Sequence, residues 1–595
     1  MSRLHYIGAS ETSTRMNTTV ILRDAARGAW LRFESPVRVV CARTLAAVPA
    51  ALRAVESAVD RDGLHAAGFV SYEAGPAMDK ALRARGPGSF PLVWFGLFKA
   101  PYELSCLPAL QGPPAIPRRW AASVDRAAYR RAVKHIRNYI RAGDTYQVNY
   151  SYRLRQPLQI RPEHLFQRMV GPLAPPHAAF IETRDWAICS ASPELFFTLD
   201  GERIVSRPMK GTAPRGALLA DDLAQAAGLR RSEKNRAENV MIVDMVRNDL
   251  GRIAEPGTVR VERLFDVEKY PTLWQMTSTV AARTRAPFAS ILRALFPAAS
   301  ITGAPKARTM QIIREVETTP RHIYCGCIGH LAPGRKAQFS VAIRTVLVNK
   351  RRKLLEYGVG GGIVWDSSAA AEFKECRTKS LVLFDQRPDF SLLETMLWTP
   401  RGGFALLDLH LARMAASARY FDIAWHATAA RRALDRAAAG LAAAPQRVRL
   451  LWSRVGKPAV EAQPLDAPVR PQTLRVRLAR APVDRSSLFL YHKTTHRAVY
   501  EAARASAADF DEALLWNKQG EVTEFVTGNV VARIRGKLVT PPVACGLLGG
   551  VFRQHLLDRK EVREGILRVE DLARCSALYH INSVRGMRRA RLCPR

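Results

Sequence analysis

The chain has 595 residues, 48% of them hydrophobic and 24% charged, a globular composition with room for two or three domains and large cores. Its formal net charge is +37, but Arg far outnumbers Lys, the excess is spread along the chain, and no basic block alternates with aromatics. That pattern argues against nucleic-acid binding as the main role and leaves part of the charge for anionic small molecules.

Nine Cys are scattered without a CxxC pair, which predicts reduced thiols and a cytoplasmic protein. The first 20 residues hold no apolar signal core, and no run of 18 apolar residues occurs, so no membrane association is expected. Met16 is an alternative start, and the first 15 residues read as unstructured.

From about residue 17 to 115 short strands and helices mix. GFVSYEAG (Gly68 to Gly75) reads as a strand entering a turn, and LQGPPAIPRRW (Leu110 to Trp120) as a Pro-rich connector. A long mixed region runs to Phe384, where DQRPDFS (Asp385 to Ser391) marks a boundary. The expected domains are therefore 17–385 and 390–595.

In RPMKGTAPRG (Arg207 to Gly216), Lys210 precedes a glycine turn. It is either a solvated surface Lys or, desolvated near other cations, a nucleophile. SEKNRAENVMIVDMVRNDLG (Ser232 to Gly251) reads as a helix with Glu238, Ile242 and Met245 on one stripe. Cys325 and Cys327 lack the spacing of an amidotransferase nucleophile and read as core thiols. QFSVAIRTVLV (Gln338 to Val348) reads as one strand with Ala342, Arg344 and Val346 on one side, and a buried Arg there needs an anionic partner.

YGVGGGIV (Tyr357 to Val364) supplies amides that can approach an anion closely. In the helix that follows, capped by Asp366 or Ser367, Glu372, Glu375 and Lys379 share a face. Glu375 and Lys379 are compatible with a plain surface pair. Together with Glu238, the carboxylates also suit an oxygen-ligated Mg2+.

Beyond the boundary, Ala427 to Ala444 reads as a helix. SLFLYHKTTHRAVYEAAR (Ser487 to Arg504) reads as strand, turn and helix with Lys493 at the junction. GEVTEFVTGNVVARIRGKLVTPP (Gly520 to Pro542) reads as a hairpin with Glu524 among valines, and CGLLGGVFRQHLL (Cys545 to Leu557) as glycines opening a helix, a ready anion site.

GDTYQVNYS, SASPELFF, PMKGT, RAENVMIVDMVRNDLGR, SITGAPK, IRT, GGGIV and EFKEC occur in that order. In them the first domain resembles the chorismate-utilising family, and within it component I of aminodeoxychorismate synthase. The resemblance implies an α+β fold: a β-sandwich with flanking helices and an active site between its sheets. It implies Mg2+ held by Glu238 and Glu375 with Glu372 nearby, and chorismate held by Thr302, Tyr324, Arg344, Lys379 and the amides of Gly360, Gly361 and Gly362. It implies Lys210 as a nucleophile at C2 of chorismate. Lys210 and Gln275 set the chain apart from anthranilate synthases, and Asn235 departs from the acidic residue frequent there. No glutaminase signature is read, so ammonia is expected free or from a separate glutamine amidotransferase subunit.

LLETMLW, LLDLHLARMAASARYFDI, HKTTHR, GEVTE, GLLGGVFR and INSVRG resemble the class IV pyridoxal-phosphate enzymes, an α+β family, and within them aminodeoxychorismate lyase. The resemblance implies Lys493 as the Schiff-base lysine and Glu524 as the partner of the pyridine nitrogen. It implies that Arg413 and the amides near Val551 and Phe552 hold the phosphate. The combined expectation is a bifunctional enzyme making 4-aminobenzoate for the folate pathway. The rivals are an anthranilate or isochorismate synthase-type domain joined to a transaminase, and a basic nucleic-acid-binding protein.

Overall fold

The computed structural model describes residues 18–108, 110, 120–171, 174–383, 388–465 and 473–594. The first 15 residues, most of the Pro-rich connector and the start of the expected boundary at Asp385 lie outside these. The chain divides into two compact units, one of residues 1–213 and 228–387 and one of 214–227 and 388–595.

The first unit is built on two ten-stranded sheets. Alternating apolar residues of one, such as Val20, Leu22 and Phe33, pack on Phe69, Trp94 and Phe98 of the other, which makes the sandwich core. Helices cover both outer faces. Val48–Asp60, Glu233–Gly251 and Phe288–Leu295 bury their apolar stripes on one sheet. Arg126–Arg141, Pro162–Val170 and Ala369–Ser380 lie on the other. The resulting layers bear out the expected α+β sandwich.

Local structure departs from the sequence expectations in several places. The expected single strand from Gln338 breaks into Lys336–Val341, in one sheet, and Thr345–Asn349, in the other. Arg344 sits at the break with φ 51°, so the chain changes sheets there. The helix Ala369–Ser380 is capped by Ser368, whose side chain accepts from the Ala371 amide. Ser367, expected as a cap, instead donates to Glu372 at 2.7 Å. Leu488–Leu490, expected as strand, is a turn of 3-10 helix.

In the second unit, a four-stranded sheet packs Leu392, Met396, Val448, Leu450 and Trp452 against the helices Leu407–Phe421 and Ala427–Ala438. A mixed eight-stranded sheet holds the strands Val522–Phe525, Asn529–Ile534 and Lys537–Thr540, two successive hairpins where one was expected. Residues 214–227 belong to this unit. Arg215 pairs with the buried Asp222 at 2.7 and 2.9 Å and lies 4.5 Å over the Tyr420 ring. His492 Nε2 lies 3.1 Å from the Ala217 carbonyl oxygen.

Candidate functional sites

A cavity of about 340 Å3 opens within the first unit. The strand Met209–Pro214 brings Lys210 to it, the helix Glu233–Gly251 brings Glu238, and the helix Ala369–Ser380 brings Glu372, Glu375 and Lys379. The i, i+3, i+7 spacing read from the sequence explains that last trio. Tyr324, Arg344, Gly360 and Gly362 complete the lining among the expected residues. Thr302 and Gly361 are not on it. Thr302 is fully buried, and its hydroxyl lies 3.2 Å from both the Ala298 and Ala299 carbonyls. The missing Cβ of Gly361 faces Glu372 Oε2 at 3.1 Å.

The strand Leu354–Ile363 is glycine-rich because neighbours occupy the places of its side chains. A Cβ on Gly358 would fall 2.1 Å from the Tyr324 ring, and one on Gly362 would lie 2.5 Å from Lys210 Nζ. Lys379 Nζ pairs with Glu375 at 2.7 Å and donates to the Gly360 carbonyl at 3.0 Å. Lys379 lowers the Glu375 carboxyl below its usual range. Burial pushes Lys379 down, but Glu375 outweighs it and the ammonium is held above its ordinary value. For Lys210 the balance is reversed: burial, aided by Lys379 and opposed by Glu238, pushes its amine down. Burial raises Glu372 and lowers Arg344.

Glu194 is on the same lining and was not singled out in the sequence, although it stands within SASPELFF. It is buried and accepts from Ser300 Oγ at 2.6 Å and from the Met209 amide at 3.4 Å. Burial pushes its carboxyl up to about 7, so it can carry a proton near neutrality. Its signal was a lone acid in the short link between the strands Trp186–Ser192 and Leu195–Asp200, just before the apolar run Leu195 to Phe197.

The second unit encloses a cavity of about 450 Å3, and Arg413, Lys493, Glu524, Val551 and Phe552 all line it. Burial and the Arg413 guanidinium push the Lys493 amine down to about 8. Glu524 is buried and pushed up to about 7 by desolvation. It accepts from Tyr500 Oη at 2.8 Å and from the Leu548 amide at 3.1 Å. Gly550 is the N-cap of the helix Val551–Asp558, so that helix begins at the cavity. Glu394, which sequence reasoning missed, grips Arg413 by two nitrogens at 2.8 and 2.6 Å and meets His410 Nδ1 at 2.6 Å. The third nitrogen of Arg413 donates to the Gly549 carbonyl at 2.9 Å.

Residues 26–385 match the family described as chorismate binding enzyme. The chain belongs to that family. Residues 391–593 match the amino-transferase class IV family.

Among chorismate-binding relatives, aminodeoxychorismate synthase component 1 of Klebsiella aerogenes is 43% identical over 258 residues, which are 43% of this chain and 57% of that protein. Anthranilate synthase component 1 of Streptomyces coelicolor is 38% identical over 286 residues, 47% of this chain and 56% of that protein. The chain thus spans little more than half the length of these curated relatives. The crystal structure of anthranilate synthase component I from Streptococcus pneumoniae shares the fold, with a TM-score of 0.52 at 22% identity over 65% of this chain and 95% of that one. Among the described residues no helix is long and apolar enough to cross a membrane.

Proposed function

We propose that the chain makes 4-aminobenzoate in two steps, as an aminodeoxychorismate synthase component I and an aminodeoxychorismate lyase. Residues 17–385 would convert chorismate and ammonia to 4-amino-4-deoxychorismate, and residues 390–595 would remove pyruvate from it. The observation that carries the first step is Lys210, half-buried on a cavity shared with four carboxylates, its amine pushed down by burial. An uncharged amine there attacks C2 of chorismate, and the C4 hydroxyl departs as water with the proton held by Glu194. Ammonia then bonds to C4 and Lys210 leaves C2, so one difficult displacement becomes two easier ones. Arg344, Lys379, Tyr324 and the strand at Gly360 to Gly362 would hold the substrate.

Glu238 and Glu375, with Glu372 beside them, are the residues that would hold Mg2+. Among the described residues no three metal-binding side chains are already gathered as a ligand set. The ion needs only one or two protein carboxylates with substrate oxygens and water, and Glu238, Glu372 and Glu375 on this lining can supply them. Bound there, Mg2+ would orient and polarise the substrate carboxylate.

The second cavity fits pyridoxal phosphate. Its volume suits a compact cofactor, and a buried, proton-carrying Glu524 suits a pyridine nitrogen. The helix starting at Val551 suits a phosphate. The cofactor supplies the electron sink. Lys493 would tether it and then take the proton from C4 of the substrate. Arg413, with the amides of Val551 and Phe552, would hold its phosphate, and Glu394 would fix the direction of the Arg413 fork. Ammonia would come from a separate glutamine amidotransferase subunit, and the setting would be cytoplasmic.

The test is the purified full chain with chorismate, Mg2+, ammonium and pyridoxal phosphate, its products separated by chromatography. 4-Aminobenzoate and pyruvate are expected. The comparable identity to an anthranilate synthase favours a second reading, in which the product is 2-aminobenzoate and the second unit is a transaminase.

A further inference from the structure

Lys210 has to keep its amine free to form a bond, so an ion pair, which would hold it charged, cannot be what aims it. The direction of the side chain must come from its backbone. That backbone is held at three successive residues. The Met209 amide donates to Glu194 Oε1 at 3.4 Å, the Lys210 carbonyl accepts from Asn239 Nδ2 at 3.1 Å, and the Gly211 carbonyl accepts from Gln275 Nε2 at 2.9 Å. Gly211 has φ 100°, and a Cβ there would lie 3.1 Å from Asn235 Cβ and 3.2 Å from Met276 Cβ, so any other residue would strain the turn after Lys210.

Glu194 and Gln275 also line the cavity and can meet a substrate there; Asn239 does not line it and is only 1% exposed. It stands on the helix Glu233–Gly251 in line with Ile242, Val243 and Val246, on the stripe that the helix buries. An amide on such a stripe costs free energy unless its ends are hydrogen-bonded. Both ends are. Ser278, fully buried on the strand Leu273–Arg283, donates from Oγ to Asn239 Oδ1 at 2.6 Å. The Phe265 amide donates to that same Oγ at 3.2 Å, which leaves the Ser278 hydroxyl hydrogen to point at Asn239. This chain of donors fixes which end of the Asn239 amide is the NH2, and that end faces the Lys210 carbonyl.

Asn239 directly follows Glu238, which does line the cavity. Two consecutive residues of one helix therefore present a carboxylate to the cavity and grip the backbone of the reactive lysine. The helix cannot shift without moving both. A displacement of about an ångström between reacting groups is enough to cost much of a rate.

We infer that Asn239, aimed by Ser278, is a positioning residue: through the carbonyl of Lys210 it sets where that amine stands relative to the Glu238 carboxylate. Asn239 touches no reacting atom itself. The inference rests on the reading of Lys210 as the nucleophile and names what holds it in place.

The experiment is a double-mutant cycle on the full chain, with chorismate consumption followed at saturating ammonium and Mg2+. Asn239→Leu nearly keeps the shape of the side chain and removes its donor. It should lower kcat by about 10- to 100-fold and change KM for chorismate by less than about twofold. Ser278→Ala, which frees the amide to turn, should lower kcat by about 3- to 10-fold. In the Lys210→Ala background, where amination is slow but measurable, each substitution should cost less than about twofold more, because the group it positions is gone. A purely structural role would cost the same factor in both backgrounds, and that result overturns the inference. An unchanged kcat in both single variants overturns it too. If Asn239→Leu does not fold, the cycle with Ser278→Ala decides alone. Amination by Lys210→Ala at the unmutated rate defeats the nucleophile reading and what is built on it, whereas a slow Lys210→Ala with additive losses defeats the inference about Asn239 alone.

Discussion

Gly362 and Lys210 compete for one place: a Cβ at Gly362 would lie 2.5 Å from Lys210 Nζ and 2.7 Å from Gln147 Nε2. Both neighbours are the free ends of side chains and can yield. Gly362→Ala should therefore move Lys210 while leaving the strand intact. Amination should fall by about 10- to 100-fold with little change in melting temperature, as expected when a reacting group is misplaced by about an ångström. Gly360→Ala is the contrast. Its Cβ would meet the Tyr150 carbonyl oxygen at 2.4 Å, a backbone atom of the neighbouring strand. It should destabilise the first unit by about 1–3 kcal/mol, read by thermal or denaturant unfolding.

Glu194 predicts a pH limb. Its carboxyl is pushed up to about 7, so the proton is present below that value and lost above it. The rate of amination should decline as pH rises through about 7. Glu194→Gln should lower the maximal rate by about 100-fold or more and erase that limb. An unchanged profile would remove Glu194 from the reaction.

Lys493 predicts a second one, of opposite sense. An amine depressed to about 8 sheds its proton well before an ordinary lysine at about 10.4. The rate at which the cofactor-free chain captures pyridoxal phosphate, trapped by borohydride, should rise with pH through about 8 and then level off. A midpoint near that of free lysine would contradict the burial of this amine.

How much of this was legible in the sequence depended on spacing. Spacing put Glu238 and Glu375 on helix faces and Glu524 on a strand face, whereas Lys210 and Lys493, each compatible by itself with a surface lysine, stood out only through the resemblance of the motifs around them. What sequence left dark depends on tertiary contacts. Arg344 takes a left-handed φ where the chain crosses between sheets, which alternation of polar and apolar residues cannot signal. Thr302 looks like a ligand-binding hydroxyl in SITGAPK, yet it is turned to its own preceding carbonyls. Residues 214–227 follow Lys210 directly but pack with the second unit through Arg215, Asp222 and Tyr420, a pairing of positions some 200 residues apart that no local pattern carries.

Metal removal should separate the two units. A chelator should stop amination of chorismate, and Glu375→Gln should weaken the response to Mg2+ by about 10- to 100-fold. Conversion of supplied 4-amino-4-deoxychorismate should continue in both cases. The check is a titration of each activity with Mg2+; amination that persists in chelator would contradict the assignment of these carboxylates.

The division of labour between Lys210 and Lys493 is tested most directly by following both products in single-lysine variants. Lys493→Ala should lose the absorbance of bound pyridoxal phosphate, still consume chorismate with ammonium, and accumulate 4-amino-4-deoxychorismate. Lys210→Ala should keep that absorbance and convert supplied 4-amino-4-deoxychorismate to 4-aminobenzoate, while aminating chorismate slowly. Release of 4-aminobenzoate from chorismate by Lys493→Ala at the unmutated rate, with no other lyase present, would contradict the two-site account.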